Sequence, residues 1–365
     1  MSYYIGLISG TSMDGIDAAL VDVHTNQLIS GMTYPYSEPV YQFLLEMAAE
    51  NQPSLHAVYQ LNAMIGKEFA TAANELLRIS GINKQQITAI GSHGQTLKHE
   101  VLATAPYSMQ LGCGHVIAEL TGLPVVADFR TRDMVNGGQG APLAPIYHQE
   151  IFKHLQLPLA VVNIGGIANI SFINEQGIAV GGYDTGPGNC LMDQWVKKHI
   201  DKAYDDNGVW AESGKIMQHI LDAMLNDPYF KKAPPKSLDK AYFSDAWLKA
   251  FLPIACKNED VQATLLLLTA TTISDEVKKH AANAQSIILC GGGARNQALV
   301  EAIARQLSDY EVKTANSVGV NSDYIEAMMI AWLAHKTVSS TEIDLNLITG
   351  AKKPAVLGVL YPAGH

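Results

Sequence analysis

The sequence predicts an α/β protein of two related lobes, each a mixed sheet covered by helices. Its first third runs in the order β-β-β-α-β-α, and a second strand, glycine turn and strand begins near residue 159 as an echo of the opening. At 365 residues the chain exceeds the size at which a single core usually keeps growing. A hydrophobic content of 48% with 16% charged residues describes a well-filled globular protein and excludes disorder.

Apolar runs broken by turn chemistry predict strands over 3–9, 15–23 and 28–36. Helices follow over 38–49 and 54–79. The second carries Val58, Leu61, Ile65, Phe69, Ala72, Ala73, Leu76 and Leu77 at helical spacing, with Ser54 as N-cap and Gly81 as stop. A buried strand at 87–92 leads into a polar loop, then a helix near 115–121 and a strand at 124–129. The glycine-rich junction 131–145 reads as a hinge, which divides the chain into a first lobe of 1–131 plus about 348–365 and a second lobe of 132–347. The second lobe holds the strand-turn-strand of 159–172, a helix beginning near Leu191, the strand 286–290 ending in a glycine run, and a late helix at 323–335. Residues 227–244, with Pro228, Pro234 and Pro235, read as a surface excursion, and the strand 355–361 is expected to return to the first lobe.

A net charge of −10 excludes nucleic acid and anionic membranes as expected partners, while leaving room for a local cationic site. The four cysteines form no Cys-x-x-Cys pair and give no zinc or disulfide framework. The N-terminus lacks a basic n-region, and the apolar run 263–273 contains four threonines and is too short to span a bilayer. A cytoplasmic protein with a small-molecule substrate is expected, and a homodimer is left open.

The first turn concentrates hydroxyls, glycines and carboxylates: Gly10, Thr11, Ser12, Met13, Asp14, Gly15, Ile16 and Asp17. Gly10 and Gly15 are expected to take positive φ, the amides around Thr11 and Ser12 suit phosphoryl oxygens, and Asp14 or Asp17 suits a divalent cation. An Asp-Gly hairpin with capping side chains is the alternative. Glycine turns at 163–169 and 291–296 also follow apolar strands, so the joint pattern points to a phosphate chain gripped from both lobes. Asp184, in the glycine-flanked segment 181–193, suits a general base or a group near a metal, against the alternative that Asp184 and Asn189 only cap a helix. Arg130 and Arg132 end a buried strand and suit a carboxylate or phosphate, unless they pair internally with aspartates. His93, in Gly91-Ser92-His93-Gly94-Gln95-Thr96, is a structural histidine or a polar contact at a strand end.

Taken together, 10–17, 91–96, 127–130, 137–143, 163–171, 184–189 and 291–296, in this order and over nearly the whole chain, resemble the anhydro-N-acetylmuramic acid kinase family. The resemblance implies the two-lobed actin/hexokinase/Hsp70-like ATPase fold, with ATP and sugar meeting between the lobes. It implies that ATP, water and 1,6-anhydro-N-acetylmuramic acid give N-acetylmuramic acid 6-phosphate and ADP in peptidoglycan recycling. Residues Gly10 through Asp17 carry over as nucleotide loop and Asp184 as base. Gly165, Gly166, Gly292 and Gly293 are expected at the nucleotide, Mg2+ at Asp14 directly or through water, His93 at the sugar, Arg130 or Arg132 at its lactyl carboxylate, and Glu326, on the late helix, at a sugar hydroxyl or amide unless it is an internal hydrogen-bond partner. An ordinary sugar kinase and an ATP-driven switch are the alternatives to this activity.

Overall fold

The computed structural model describes residues 2–10, 13, 15–50, 52–234, 236–238 and 242–364. Its strands are β1 (Tyr3–Ser9), β2 (Ile16–Asp22), β3 (Gln27–Tyr34), β4 (Ile87–Glu100), β5 (Tyr107–Leu111), β6 (Val125–Ala127), β7 (Leu159–Ile164), β8 (Ile167–Ile173), β9 (Ala179–Pro187), β10 (Ser286–Cys290), β11 (Glu311–Thr314) and β12 (Val359–Tyr361). Two compact units result, one of Met1–Tyr147 with Tyr324–His365, the other of His148–Asp323.

The first unit orders its sheet β12-β6-β4-β1-β2-β3, with β5 added to β4. β1 is buried along its full length, the pattern of a strand covered on both faces, and lies between antiparallel β2 and parallel β4. The second unit orders β11-β10-β7-β8-β9. There too an antiparallel meander, β7-β8-β9, pairs its first strand in parallel with a later one, β10. The shared topology is the structural form of the echo in the sequence.

The helix Leu55–Ser80 starts where Ser54 accepts a hydrogen bond from the Ala57 amide at 3.1 Å and stops at Gly81, whose φ of 68° ends it in a left-handed residue. β12 pairs antiparallel with β6, within the first unit. Glycines seat the helix Ile325–Val338 on this sheet. Gly6 and Gly91 face each other in register, and a Cβ on either would overlap a carbonyl of that helix, Ala327 for Gly6 and Ile330 for Gly91. Bare backbone at both positions lets the helix lie directly on β1 and β4, with Glu326 in its first turn.

Four readings change. The units divide at Tyr147/His148 and Asp323/Tyr324, whereas the sequence was divided at 131/132 and 347/348. The junction is tied down in the first unit: the Asp133 carboxylate accepts from the Gly140 amide at 2.6 Å and the Thr349 hydroxyl at 2.7 Å, and the Gln139 amide bonds the Thr349 carbonyl at 3.0 Å. Hinge-like freedom is therefore absent from the described contacts of 137–140. The polar segment after Ser92 is strand, not loop, because β4 continues through it to pair with β5, and Ser92, His93 and Gln95 are buried. Described residues within 227–244 are packed: Tyr229 and Phe243 are fully buried and Phe230 stacks on Phe243 at 5.8 Å. Among the described residues no helix is long and apolar enough to cross a membrane.

Candidate functional site

In the first unit, β1 and β2 are joined by the turn containing Gly10, Met13 and Gly15; Thr11, Ser12 and Asp14 lie outside the described residues. The Met13 amide bonds the Gly10 carbonyl at 3.2 Å, and Gln95 of β4 donates to that same carbonyl at 3.2 Å. Positive φ falls on Met13, at 62°, and not on Gly15. Gly15 is required instead by close approach, because a Cβ there would stand 2.8 Å from the Tyr34 carbonyl. Ile16 is buried at the start of β2, and the next residue, Asp17, accepts from the Thr33 hydroxyl at 2.6 Å.

Arg130 lies three residues beyond the end of β6, immediately before the short helix Thr131–Val135. Its guanidinium donates to His93 Nε2, from Nε at 3.0 Å and from Nη2 at 2.9 Å, and to the Gly140 carbonyl at 2.6 Å. His93 Nδ1 lies 3.0 Å from the Gly94 carbonyl, which can only accept. His93 is therefore the neutral tautomer with its proton on Nδ1. Burial, then the Arg130 charge, push the imidazole pKa down to about 3. Burial also lowers that of Arg130 to about 10, with Glu326 and Asp133 opposing, so the guanidinium stays charged at neutral pH.

The internal Arg–Asp pairing is not formed. Asp128 instead accepts from the Thr131 amide at 3.2 Å, Asp133 holds Gly140 and Thr349, and no ion pair of Arg130 or Arg132 occurs among the described residues. Arg132 is exposed on the short helix, apart from the His93–Arg130 contact. Glu326 is open to solvent, yet protein atoms crowd it. That crowding, then the Asp17 carboxylate, raise its pKa, and Arg130 opposes them. Arg130, His93, Glu326 and Asp17 thus form one electrostatically coupled group.

In the second unit, the glycine turns converge. The amides of Gly188 and Asn189 bond the carbonyls of Gly166 and Gly165 at 2.9 and 2.8 Å, and Asn189 Nδ2 donates to the Ile164 carbonyl at 3.1 Å. Asn189 precedes the helix Cys190–Ile200 without capping it through its side chain. Gly291, at φ 78°, is packed so that a Cβ would overlap Asn163 Oδ1, and one on Gly293 would overlap the Ile164 side chain. Gly166 and Gly292 are exposed, with no atom nearer than 3.9 and 3.8 Å to a Cβ built on them. The cluster therefore presents bare backbone to solvent, as a phosphate cradle does.

Asp184 lies on β9, opposite Asn169 of β8. Its Oδ2 accepts from the Leu238 amide at 2.9 Å, its carbonyl accepts from the Tyr229 hydroxyl at 2.7 Å, and its amide donates to the Lys236 carbonyl at 3.2 Å. Burial raises its pKa and the Leu238 bond opposes this. A half-buried carboxylate made more basic by its surroundings, and held at one oxygen, is suited to accept a proton. Tyr229, Lys236 and Leu238 escaped the sequence reading because the prolines of 227–244 suggested a loop. The density of Tyr229, Phe230, Tyr242, Phe243 and Trp247 was the signal for packing.

The profile of the family described as anhydro-N-acetylmuramic acid kinase matches residues 2–363. A protein named anhydro-N-acetylmuramic acid kinase from Legionella pneumophila (strain Paris) is 50% identical over 362 residues, covering 99% of each chain. One of the same name from Nitrosomonas europaea is 42% identical over 363 residues, covering 99% of this chain and 100% of that one. Among solved structures, the (R)-2-hydroxyglutaryl-CoA dehydratase component A of Acidaminococcus fermentans is similar with a TM-score of 0.51 at 13% identity, over 93% of this chain and 100% of that one. That likeness concerns the fold alone, and it agrees with the two-lobed α/β class expected from the sequence.

Proposed function

The chain belongs to the anhydro-N-acetylmuramic acid kinase family, and from that premise we propose that it uses ATP and water to convert 1,6-anhydro-N-acetylmuramic acid to N-acetylmuramic acid 6-phosphate and ADP in peptidoglycan recycling. The observation that carries the reading is Asp184, a half-buried carboxylate of raised pKa gripped at Oδ2 by the Leu238 amide. Asp184 takes a proton from the water that attacks C1. As the new C1–O bond forms, the C1–O6 bond breaks, and O6 attacks the γ-phosphorus, from which ADP departs. The charge developing on O6 passes into the phosphate ester, so no separate carboxylic acid needs to protonate it.

The other roles follow from chemistry of the same kind. The turn of Gly10, Thr11, Ser12, Met13, Asp14, Gly15, Ile16 and Asp17, and the glycine turns of Gly165, Gly166, Gly292 and Gly293, with bare backbone exposed at Gly166 and Gly292, bind the nucleotide phosphates. Mg2+ fits a carboxylate of the first turn, because Asp17 and Glu326 repel one another electrostatically and a cation would relieve them; Asp14 is the second candidate. When bound, Mg2+ would offset the phosphate charge. Arg130, preorganised by His93 and Gly140, is better suited than exposed Arg132 to receive the lactyl carboxylate. Glu326 is assigned to a hydroxyl or amide of the sugar.

The test is ADP release and product mass with ATP and Mg2+, with and without the anhydro sugar. Sugar-dependent ADP release with one N-acetylmuramic acid 6-phosphate formed per ADP is expected. ADP release independent of the sugar would instead describe an ATP-driven switch. Phosphorylation with the anhydro ring intact would describe an ordinary sugar kinase.

A further inference from the structure

Beneath Asp184 lies a buried charged network that the reaction does not consume. Lys236 and Glu276 are almost completely buried and paired at 2.9 Å. The second Glu276 oxygen accepts from the Tyr183 hydroxyl at 2.9 Å. Tyr183 immediately precedes Asp184 on β9, and Glu276 projects from the helix Asn258–His280. The Lys236 ammonium also stands over the Tyr229 ring, 5.0 Å from its centroid, and that ring's hydroxyl donates to the Asp184 carbonyl.

Burying an ion pair is costly, and an apolar pair of similar volume often does as well or better for stability. The position of this pair gives it a different use. The segment carrying Tyr229, Lys236 and Leu238 touches Asp184 at its amide, its carbonyl and its carboxylate. The base of the segment is fastened separately, where Asp227 accepts from the Tyr229 amide, the Tyr242 hydroxyl and the Trp247 indole, each at 2.8 Å. Between that fastening and Leu238, the Lys236–Glu276 pair anchors the segment to a long helix.

We propose that Lys236 is a positioning residue for the reaction: paired with Glu276, it fixes the segment so that the Leu238 amide holds the Asp184 carboxylate in its proton-accepting orientation. The inference rests on the assignment of Asp184 as base. It adds a residue that touches neither sugar nor nucleotide, acting through main-chain contacts two positions away.

The experiment compares the wild-type enzyme with Lys236→Met and with the double variant Lys236→Met/Glu276→Leu, using steady-state kinetics from pH 5 to 9 and thermal unfolding. The single variant leaves Glu276 buried without its cation and is vulnerable to misfolding. The double variant removes both charges and keeps an apolar filling, so it separates folding from positioning. Wild-type turnover is measured first, because failure there sinks the assigned reaction and not this inference. The expected result for the folded double variant is a kcat lower by at least about tenfold, with the KM for ATP changed by less than about twofold. Its acid limb should move to higher pH, because the Leu238 bond that favours ionised Asp184 is loosened. The other ionisable groups facing the network are Tyr183, Tyr229, Lys279 and His280, and all are retained in the variants. A folded double variant with wild-type kcat and an unmoved acid limb would overturn the proposal.

Discussion

Arg130 and His93 form a donor–acceptor pair of fixed polarity: two guanidinium nitrogens, Nε and Nη2, point at His93 Nε2 from 3.0 and 2.9 Å, and the imidazole proton is committed to the Gly94 carbonyl. A third bond, from Nη1 to the Gly140 carbonyl, sets the plane of the guanidinium. A cation oriented this way before any ligand arrives loses little entropy when it binds a carboxylate. Replacing Arg130 by Lys keeps the charge and removes the planar fork. Arg130→Lys is therefore expected to raise the KM for the anhydro sugar about tenfold or more and to erase most of the preference over an analogue lacking the lactyl group. Arg132→Ala, on the exposed helix face, should change that preference far less. Measuring both variants on both sugars decides; an unchanged preference in Arg130→Lys moves the anchor elsewhere.

The same pair sets a pH dependence of stability. His93 is held neutral, with its pKa pushed down to about 3 by burial and by Arg130. The unfolded chain binds this proton near pH 6.5, whereas the native state refuses it until about pH 3. The contribution of His93 is thus fully present above about pH 6.5 and is lost as pH falls from there toward 3. Urea unfolding at pH 7, 5.5 and 4.5 should show a shallower decline for His93→Gln than for the wild type. Equal slopes would mean that His93 charges in the native state.

Gly6 offers a test of how the fold delivers Glu326. A methyl group there meets the Ala327 carbonyl and approaches the Ala331 amide at 2.6 Å, and both atoms are helix backbone that cannot rotate away. Gly6→Ala should destabilise the protein by about 1–3 kcal/mol. Because the displaced helix carries Glu326, the KM for the sugar should rise in the molecules that remain folded. Gly181→Ala, with no atom within 4 Å of the added methyl, is the control for stability. Denaturant midpoints of the two variants that coincide would show that the seat tolerates a side chain.

What the sequence disclosed, and what it withheld, follows the range of the interactions. Ser54 and Gly81 act on their own helix, and the strand–turn–strand openings act over a dozen residues, so both were legible in composition and spacing. The burial of Lys236 was not, because its partner Glu276 is 40 residues away and prolines nearby suggested exposure. His93 and Gln95 read as loop for a related reason: in β4 their side chains bond Arg130 and backbone carbonyls that no local pattern announces. Glu326 read from the sequence only as a carboxylate on the late helix, for a sugar group or for an internal hydrogen bond. Its setting is made by Gly6 and Gly91, more than 200 residues earlier in the chain.

Removal of the metal tests the first turn. Asp17 is held by Thr33 at 2.6 Å and its charge raises the pKa of Glu326, an arrangement that a nearby cation would stabilise. Chelation of Mg2+ should abolish turnover while leaving thermal unfolding of the nucleotide-free protein unchanged. Asp14→Ala and Asp17→Asn should each raise the Mg2+ concentration needed for half-maximal activity, with a smaller effect on unfolding temperature. Equal losses of stability and activity would make these carboxylates structural.

The reaction itself can be read from the fate of one oxygen. If Asp184 activates water against C1, oxygen from labelled water must appear on the anomeric carbon, and the oxygen bridging to phosphorus must be the original O6. Attack opposite the departing O6 also requires inversion at C1. Asp184→Asn keeps an oxygen able to accept from the Leu238 amide, but an amide cannot take a proton at neutral pH, so the variant should fold, bind nucleotide and lose turnover by about a hundredfold or more. Product made in labelled water must be analysed promptly by mass spectrometry, because a free hemiacetal exchanges its anomeric oxygen, and a no-enzyme exchange control fixes that background. Label in the ester oxygen would mean that water, and not O6, had become the phosphate acceptor. Near-normal turnover of Asp184→Asn would remove Asp184 from the role of base.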